Sequence, residues 1–289
     1  MLKIGIVGAE NSHTAQVAKI MNVEKTIPDA SVVAVWGETD EFAAKAAQAG
    51  QIPSIVKDPK EMIGKIDGVM VDHRHPKFHI PAMEPFLAAK VPMFIDKPLC
   101  YRLAEGKDFL ARCRKAGVPV TSMSGIARQA SFGEFAKKVA GLGKIYAAYS
   151  VGPVDIHSQY GNIFFYGIHQ VDPLVELFGT DIAAAHLTEF DAKHAAAQIY
   201  WKNGLVASMH CIDGWDTGFQ FGVTTANGPI TMKLVDDANS TLPGTQIFVK
   251  MFQTGKEPFA HSRLLAPIAV LEALEKSQAS GKIEPVEAV

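Results

Sequence analysis

The chain has 289 residues, of which 48% are hydrophobic and 20% charged, proportions that are typical of globular proteins and allow a sizeable core. Its formal net charge is −2 and it has no dense run of lysine and arginine, so we expect neither a nucleic-acid partner nor binding to an anionic membrane. No apolar stretch approaches the roughly 20 residues that cross a bilayer, and a strand beginning at Leu2 leaves no room for a signal peptide. The three cysteines form no C-x-x-C pair, so the sequence predicts no disulfide framework and a reducing, cytoplasmic location.

Short apolar segments alternate with helical segments through about residue 123. Six short strands are expected in this part, and the clearest of them occupy residues 2–7, 32–36, 68–71, 91–95 and 118–123. The segments between them carry helix signals, such as the N-cap Asp58 followed by Pro59 at the first helical position. Strands and helices that alternate in this way predict a doubly wound α/β fold, with a parallel sheet covered by helices on both faces.

The pattern changes beyond about residue 124. A helix is expected near residues 169–178, and strands dominate after it. Asn203-Gly204 and Asn227-Gly228 each separate two alternating segments, which is the sequence pattern typical of β-hairpins. This part predicts an α+β domain with a largely antiparallel open sheet. The predicted domains are residues 1–122 and residues 123–289.

The turn after the first strand has the context of a dinucleotide-binding loop. The strand runs into Gly8-Ala9-Glu10-Asn11-Ser12-His13 and then a helix, where the usual pattern is G-x-G-x-x-G. Only Gly8 is retained, because Glu10 and His13 stand at the second and third glycine positions. The bulk and charge of Glu10 oppose a pyrophosphate, whereas the side chains of Asn11 and Ser12 could donate hydrogen bonds to one. The loop predicts either cofactor binding through residues 8–13 or an ordinary strand-to-helix turn.

A carboxylate follows the second strand, in Trp36-Gly37-Glu38. Glu38 is suited to accept a hydrogen bond from a ribose 2′-hydroxyl, although its distance from Gly8 along the chain exceeds the usual spacing of roughly 20 residues. No arginine follows immediately to receive a 2′-phosphate. The pattern favours NAD over NADP, with NADP and a simple solvated loop acid left as alternatives.

The segment Val91-Pro92-Met93-Phe94-Ile95 has the composition of a strand buried on both faces, and it ends in Asp96-Lys97-Pro98. Ligands of an open α/β sheet bind beyond the carboxyl ends of its strands, so Lys97 lies where a reactive amine would be useful. An isolated D-K-P is more often a surface turn with a solvated ion pair. The other motifs of the chain favour the functional interpretation.

These motifs occur in an order that resembles the Gfo/Idh/MocA family of NAD(P)-dependent sugar and cyclitol oxidoreductases. Asp96-Lys97-Pro98 matches the family's E-K-P. Asp72-His73-Arg74-His75-Pro76-Lys77-Phe78-His79 falls where the family has A-T-P-N-x-x-H beside the nicotinamide, and only His79 of that motif is kept. Gly167-Ile168-His169-Gln170-Val171-Asp172 resembles the family's D-x-G-x-H-x-x-D helix, and Arg128 falls near a family arginine.

The resemblance implies an amino-terminal Rossmann domain for the cofactor and a carboxy-terminal domain for the substrate and for assembly into dimers or tetramers. It also implies that Lys97 and His169 lie together at the domain cleft, where they bind the reacting hydroxyl and manage its proton during hydride transfer. The residues predicted to bind the substrate are Asp172, Arg128, His157 and Tyr160. The residues predicted to contact the cofactor are Gly8, Ala9, Glu10, Asn11, Ser12, His13, Glu38, Arg74, His75, His79, Asp96 and Lys97.

Two departures from the family pattern bear on the chemistry. The family aspartate that stands four residues before the histidine is replaced by Phe165, so one of three polar groups at the reacting centre is absent. Pro173 follows Asp172 directly, so either the helix is kinked there or Asp172 is an N-cap with Pro173 at the first helical position. In the second case Asp172 is structural.

Other polar residues of the sequence could bind a ligand. The basic group after strand 68–71 could face a phosphate, a carboxylate or the cofactor, and its members are Arg74, His75 and His79. The loop residues Asp155, His157, Gln159 and Asn162 could hold substrate or form a metal site with His169, but they lack a compact ligand pattern, so no metal is predicted. Trp215 could stack on a sugar face or pack in the core.

The leading hypothesis is a cytoplasmic, NAD-dependent oxidoreductase that acts by hydride transfer on a secondary hydroxyl or carbonyl of a small polyol- or sugar-like substrate. The alternative is a catalytically silent Rossmann-type protein that binds a nucleotide or small ligand in order to regulate. Glu10, His13 and Phe165 favour that alternative, because each removes something that hydride chemistry usually uses. A third interpretation is lyase-type or hydrolytic chemistry carried by the loop that contains Asp155 and His157. We expect a homo-oligomer.

Overall fold

The computed structural model describes residues 1–214 and 216–289, which form two compact units. The suggested stacking role of Trp215 lies outside the described residues. The first unit consists of Met1–Cys100, Ala104–Met123 and Thr241–Ala260. The second unit consists of Tyr101–Leu103, Ser124–Ser240 and His261–Val289.

Strands form one sheet in each unit. Those of the first sheet are β1 Leu2–Val7, β2 Ala30–Trp36, β3 Gly68–Val71, β4 Met93–Ile95 and β5 Val120–Thr121. Those of the second sheet are β6 Ile145–Pro153, β7 Ile182–Asp191, β8 His194–Trp201, β9 Val206–Ile212, β10 Gln220–Thr225, β11 Gly228–Lys233 and β12 Glu284–Pro285.

The α-helices are α1 Ser12–Ala18, α2 Asp40–Gly50, α3 His79–Ala88, α4 Leu103–Ala116, α5 Ala130–Ala140, α6 Phe164–Phe178, α7 Leu242–Thr254 and α8 His261–Ser280. A π-helical turn, Lys19–Val23, continues α1 directly. In the described parts of the chain, no helix combines the length and the apolar character that a bilayer span requires.

The first sheet is parallel and has the strand order β2-β1-β3-β4-β5. The chain passes from β1 outward to β2 and returns to β3 on the other side of β1. Such a switch point opens a crevice at the carboxyl ends of β1 and β3, where ligands of this fold bind. The predicted doubly wound parallel sheet is confirmed. The described residues contribute five of the six expected strands, and Ile55 makes only an isolated bridge with Val35.

Helix α7 completes the core of the first unit, although it follows the second sheet along the chain. Its Phe248 ring stacks on that of Phe94 in β4, with ring centroids 4.4 Å apart and planes 13° apart. At the start of β3, a Cβ on Gly68 would lie 2.4 Å from the ring of Phe252, so only glycine allows this helix to approach the strand. The face of the sheet at β3 and β4 is thereby covered.

The second sheet has the order β11-β10-β6-β9-β8-β7-β12 and is antiparallel except for the β6–β9 pair. Both predicted hairpins are present, as β8–β9 and β10–β11. Gly204 and Gly228 have φ angles of 88° and 97° in the two turns, a region that glycine enters without steric cost. The predicted α+β domain with a largely antiparallel sheet is therefore confirmed.

Helix α6, which carries the histidine motif, is continuous from Phe164 to Phe178 with Pro173 in its interior. Asp172 is therefore a residue of the helix body, and the alternative in which it is an N-cap is wrong. Pro173 lacks the N–H that would otherwise donate to the carbonyl oxygen of His169. The helix packs closely on α8, since a Cβ on Gly167 would lie 3.2 Å from the side chain of Leu271.

Candidate active site

The carboxyl ends of four neighbouring strands bring most of the predicted cofactor residues to one edge of the first sheet. Gly8 follows β1, Glu38 lies two residues after β2, Asp72 follows β3 and Asp96 follows β4. Because parallel strands end at the same edge, segments far apart in sequence meet there. This edge belongs entirely to the first unit.

The loop after β1 lies directly against the end of β3. Gly8 has a φ of +109°, and a Cβ on it would lie 2.7 Å from the carbonyl carbon of Asp72 and 2.8 Å from the backbone nitrogen of His73. The Thr14 hydroxyl oxygen lies 2.8 Å from the carbonyl oxygen of Gly8. Glycine is required at this position both for the conformation and for the close approach of the two chains.

Glu38 is fixed on the same loop. Its Oε2 accepts hydrogen bonds from the backbone N–H groups of Ala9 and Glu10, at 2.8 and 3.0 Å. Its Oε1 is buried and has no hydrogen-bond partner among the described residues. A buried carboxylate oxygen without a donor is costly, so Glu38 presents an acceptor that a ligand hydroxyl would satisfy.

The remaining predicted cofactor residues of the loops lie closer to the surface. The guanidinium of Arg74 lies 3.9 Å from the Glu10 carboxylate, and Ser12 is exposed. His75 accepts a hydrogen bond at Nδ1 from the backbone N–H of Lys77, at 3.2 Å, which caps the short turn that follows. Arg74 is thus paired with the acid that replaces the second glycine of the usual motif.

A network of buried polar groups connects the ends of β1, β3 and β4. The Asp72 carboxylate, which is inaccessible to solvent, accepts from the Thr14 hydroxyl at 2.6 Å and from Asn11 Nδ2 at 2.9 Å. The same Asn11 amide donates to Asp96 at 3.3 Å. The ring of His13 bonds to the other Asp96 oxygen through Nδ1, at 3.0 Å. Asn11, in the N-cap position of α1, therefore bridges two acids and makes no cap hydrogen bond with its side chain.

The two acids of this network carry different charge. Burial, together with the neighbouring charge of Asp96, raises the pKa of Asp72 to about 7. Burial would also raise the pKa of Asp96, but the adjacent His13 and Lys97 outweigh it and lower that pKa well below its usual range. Near neutral pH, Asp96 is therefore ionised, whereas Asp72 is partly protonated.

Ligand atoms of His13, Asp72 and Asp96 lie within 4.8 Å of one another, a spacing that a metal ion could bridge. The carboxylate oxygens, however, already meet protein donors, namely Thr14, the Asn11 amide and His13. The ammonium of Lys97 lies 3.5 Å from Asp96 as a further positive charge. The donor set is that of a hydrogen-bonded charge network, and the absence of a metal stays a prediction.

Lys97 is buried, with 7% of its side chain exposed, and follows Asp96 directly. The segment that carries it is tied to the loop after β3 by His79. The two ring nitrogens of His79 each lie 2.8 Å from a carbonyl oxygen, one of Pro98 and one of His73. His79 is inaccessible to solvent, and burial lowers its pKa. This histidine, predicted to contact the cofactor, holds the Lys97 segment in place through main-chain contacts.

In the second unit, His169 lies in α6 with only 8% of its surface exposed. Its Nδ1 is 2.8 Å from the hydroxyl oxygen of Ser124, and that oxygen also accepts from the backbone N–H of Ile126 at 3.2 Å. The rings of Tyr166 and Phe219 flank the imidazole, with centroids 5.1 and 5.8 Å away. Ser124 and the two aromatic rings thus fix the orientation of the imidazole.

Two of the predicted substrate-binding residues belong to an ion network in the second unit. Asp172 accepts from Arg263 at 2.7 Å and from the backbone N–H of Ser124 at 3.3 Å. Arg263 also donates to Glu176, and Arg128 lies 2.9 Å from the same carboxylate. Burial would lower the pKa of Arg263, but the two acids outweigh it and raise that pKa. These contacts give Asp172 and Arg128 structural partners.

The loop before α6 carries the other two predicted substrate-binding residues. His157 is exposed and pairs through Nε2 with Glu189 of β7 at 2.8 Å. Tyr160 is half-buried, and its ring centroid lies 4.9 Å from that of Phe165. Phe165, at the position of the family aspartate, is 7% exposed and also contacts the ring of Tyr166. The convergence of these residues with Lys97 stays a prediction.

Comparisons with known proteins agree with this architecture. Residues 2–124 match the model of the Gfo/Idh/MocA family, described as an oxidoreductase family with an NAD-binding Rossmann fold. Through this domain, the chain is similar to the Gfo/Idh/MocA family. The family resemblance predicted from the motifs is confirmed, as are an NAD-binding domain and an oxidoreductase family. A search of curated proteins finds no match.

Solved structures of similar fold cover both units of the chain. A probable dehydrogenase from Thermotoga maritima has a TM-score of 0.85 at 17% identity, over 99% of each chain. Scyllo-inositol dehydrogenase from Lactobacillus casei, solved with NAD(H) and scyllo-inositol, has a TM-score of 0.86 at 16% identity, also over 99% of each chain. Myo-inositol dehydrogenase from Lactobacillus casei, solved with NAD(H) and myo-inositol, has a TM-score of 0.83 at 15% identity, over 100% of this chain and 98% of that one. At these identities the likeness establishes the fold.

The residues at the edge of the first sheet fit the adenosine half of NAD. The buried, unpartnered Oε1 of Glu38 is an acceptor for a ribose hydroxyl, and its Oε2 is already held by the loop. A 2′-phosphate would instead meet this carboxylate and be repelled. The Glu38 carboxylate, as a hydrogen-bond acceptor, therefore suits NAD better than NADP.

Five residues of these networks were not predicted from sequence: Asp72, Thr14, Ser124, Glu176 and Arg263. An acid placed directly after the buried strand 68–71 was a usable signal for Asp72. Ser124 directly follows the predicted strand 118–123 in the same way. The pairing of Arg263 with Asp172 spans 91 positions and has no local signature in the sequence.

Proposed function

We propose that this protein is an NAD-dependent oxidoreductase that transfers hydride between NAD and a secondary hydroxyl or carbonyl carbon of a small polyol-like substrate. The observation that carries the proposal is the position of Lys97. A buried amine follows β4 at the carboxyl edge of an NAD-binding domain, paired with Asp96 and held by the His79 contacts. Such an amine is suited to proton transfer with a substrate hydroxyl.

The chain's own groups supply binding and proton management. In the oxidative direction, Lys97 first releases its own proton to solvent and then takes the hydroxyl proton as hydride leaves the same carbon. His169, oriented by Ser124, is the second residue that we propose for hydrogen bonding to a substrate hydroxyl. NAD, when bound, supplies the hydride acceptor. Oxidation thus yields one carbonyl, one NADH and one proton, and reduction reverses each step.

The polyol class is supported by the structural neighbours that were solved with scyllo-inositol and myo-inositol. The aromatic rings beside His169 suit the apolar face of a ring that carries hydroxyls, because such faces pack on aromatic side chains. We accordingly propose cyclic polyols and sugars as the first substrates to examine.

The proposal is tested by NADH binding and by turnover. NADH fluorescence should change on titration with the protein, and a panel of inositols and aldoses should include a compound that supports NAD reduction. Lys97→Ala should abolish turnover and leave NADH affinity within a few-fold of the original. Lys65→Ala, which removes an exposed lysine of the same unit, is the matched control and should retain full turnover. Absence of NADH binding would reject the proposal.

Phe165 favours a second candidate, a catalytically silent protein that binds NAD or another nucleotide in order to regulate. An apolar ring stands where the family has a carboxylate, and it is packed between the rings of Tyr160 and Tyr166. Under this candidate, NADH binds but no polyol or sugar supports turnover above background. Phe165→Asp separates the two. It should raise or broaden the activity of an enzyme, and it should create none in a protein that also lacks other catalytic groups.

A further inference from the structure

His13 occupies the third glycine position of the dinucleotide-binding loop, where a side chain is unusual. Its ring is held by Asp96, whose carboxylate oxygen lies 3.0 Å from Nδ1 and whose side chain is 6% exposed. The His13 side chain itself is 31% exposed. One face of this histidine is therefore anchored on a buried acid, while part of the ring is open to a ligand.

Only one of the two ring nitrogens is engaged. In the part of the chain that the structure describes, Nδ1 meets Asp96 and Nε2 has no hydrogen-bond partner. When the ring is protonated, Nδ1 donates to Asp96 and Nε2 retains a hydrogen that it can donate elsewhere. A charge-assisted donor of this kind suits an anionic oxygen.

The loop needs such a donor because it has lost others. The N–H groups of Ala9 and Glu10 are already taken by Glu38, so they are not available to a phosphate. The carboxylate of Glu10 adds a negative charge at the second glycine position, and Arg74, at 3.9 Å, offsets it only in part. A diphosphate bound here requires a compensating positive charge.

We propose that His13 is that charge: as an imidazolium anchored on Asp96, it donates through Nε2 to a diphosphate oxygen of the bound dinucleotide. This inference rests on the proposed function. The cationic hydrogen bond of His13 would compensate for the close backbone approach that Glu10, at the second glycine position, no longer allows. Dinucleotide binding would then depend on the protonation of His13.

The surroundings of His13 favour the protonated ring. Burial would lower its pKa, but the charge and hydrogen bond of Asp96 outweigh burial and raise the pKa above its usual value. Lys97 opposes this rise and Asp72 supports it. Above the pKa, affinity should fall tenfold for each unit of pH, because one proton must be taken up on binding. The pKa of Asp72 is raised to about 7, so its titration must be separated from that of His13 in any test.

The test is the dissociation constant of NADH, measured by fluorescence from about pH 6 to about pH 9. In the unmodified protein, affinity should be constant at the acid end and weaken above the His13 transition. His13→Ala should lose roughly 10- to 100-fold in affinity at the acid end and show no such transition. Asp72→Asn should keep the transition, which assigns it to His13. His194→Ala removes a surface histidine that pairs with Asp191 at 2.9 Å, and it should leave NADH affinity unchanged at every pH.

Inorganic pyrophosphate is the second probe, because it contains the diphosphate alone. It should compete with NADH in the unmodified protein and compete much less in His13→Ala. A pH transition that survives His13→Ala, or tighter NADH binding in that variant, refutes the inference and leaves the oxidoreductase proposal intact. Absence of NADH binding at every pH in the unmodified protein refutes the proposed function itself. Circular dichroism of each variant verifies that the fold is retained.

Discussion

Gly8→Ala examines the contact that forms the crevice at the carboxyl ends of β1 and β3. Two separate penalties are expected. A non-glycine residue at a φ of +109° costs about 1–2 kcal/mol, as left-handed backbone does in general. The new Cβ would also lie 2.7 and 2.8 Å from backbone atoms of Asp72 and His73, and relieving that overlap costs about 1–3 kcal/mol more.

The sum is about 2–5 kcal/mol, which for a protein of this size lowers the melting temperature by roughly 3–8 °C. Urea unfolding monitored by circular dichroism gives the free energy. Gly64→Ala is the matched control, because Gly64 belongs to the same unit and has a φ of +80° but no atom within 4 Å of its Cβ position. It should lose about 1–2 kcal/mol. If Gly8→Ala lowers the free energy of unfolding no more than Gly64→Ala does, the loop does not approach β3 as closely as described.

Three further substitutions examine the charges of the site. Asp72→Asn should flatten the dependence of stability on pH. Because folding raises the pKa of Asp72 to about 7, the unmodified protein loses stability as pH rises from about 4 to about 7. At pH 8 the variant should therefore be more stable by up to about 4 kcal/mol in urea unfolding. An unchanged pH profile would contradict this. Arg263→Met should lower the free energy of unfolding by about 3–5 kcal/mol, because the buried Asp172 then lacks the guanidinium that pairs with it. Adding Asp172→Leu to the same chain should restore most of this loss. If the double variant is no more stable than Arg263→Met, loss of the ion pair is not the cause. Glu38→Ala should weaken NADH binding and narrow the preference for NADH over NADPH in fluorescence titrations, whereas an unchanged ratio would exclude Glu38 from the ribose site.

The parallel sheet could be predicted because its strands are buried on both faces and therefore appear as uninterrupted apolar runs. The hairpins could be predicted because Asn-Gly supplies the positive φ that their turns need. The expected sixth strand is absent from the parallel sheet of the described residues, where Ile55 forms only a single bridge with Val35. The packing of α7 in the first unit depends on contacts between rings such as Phe94 and Phe248, which are 154 positions apart, so no local pattern indicates it.

The candidate site was predictable where a residue follows a buried strand, as Lys97 and Glu38 do. The hydrogen-bond partners of those residues were not predictable, because they depend on which strands are neighbours and on which acceptor each N–H or O–H group donates to. The engagement of Asn11 with Asp72 and Asp96, in place of a helix cap, is one example. The occupation of the loop N–H groups by Glu38 is another.

The balance of charge around Asn11 has a consequence for anyone who would re-engineer this loop toward the usual glycine pattern. Two buried acids there are offset by one imidazole and one amine, so exchanging His13 for glycine alone leaves a surplus of negative charge beneath the place where an anionic ligand must bind. Reversion of His13 before any of the acids should therefore pass through a weaker binder. Removing the charge of Glu10 or of Asp72 first offers a route that avoids this surplus.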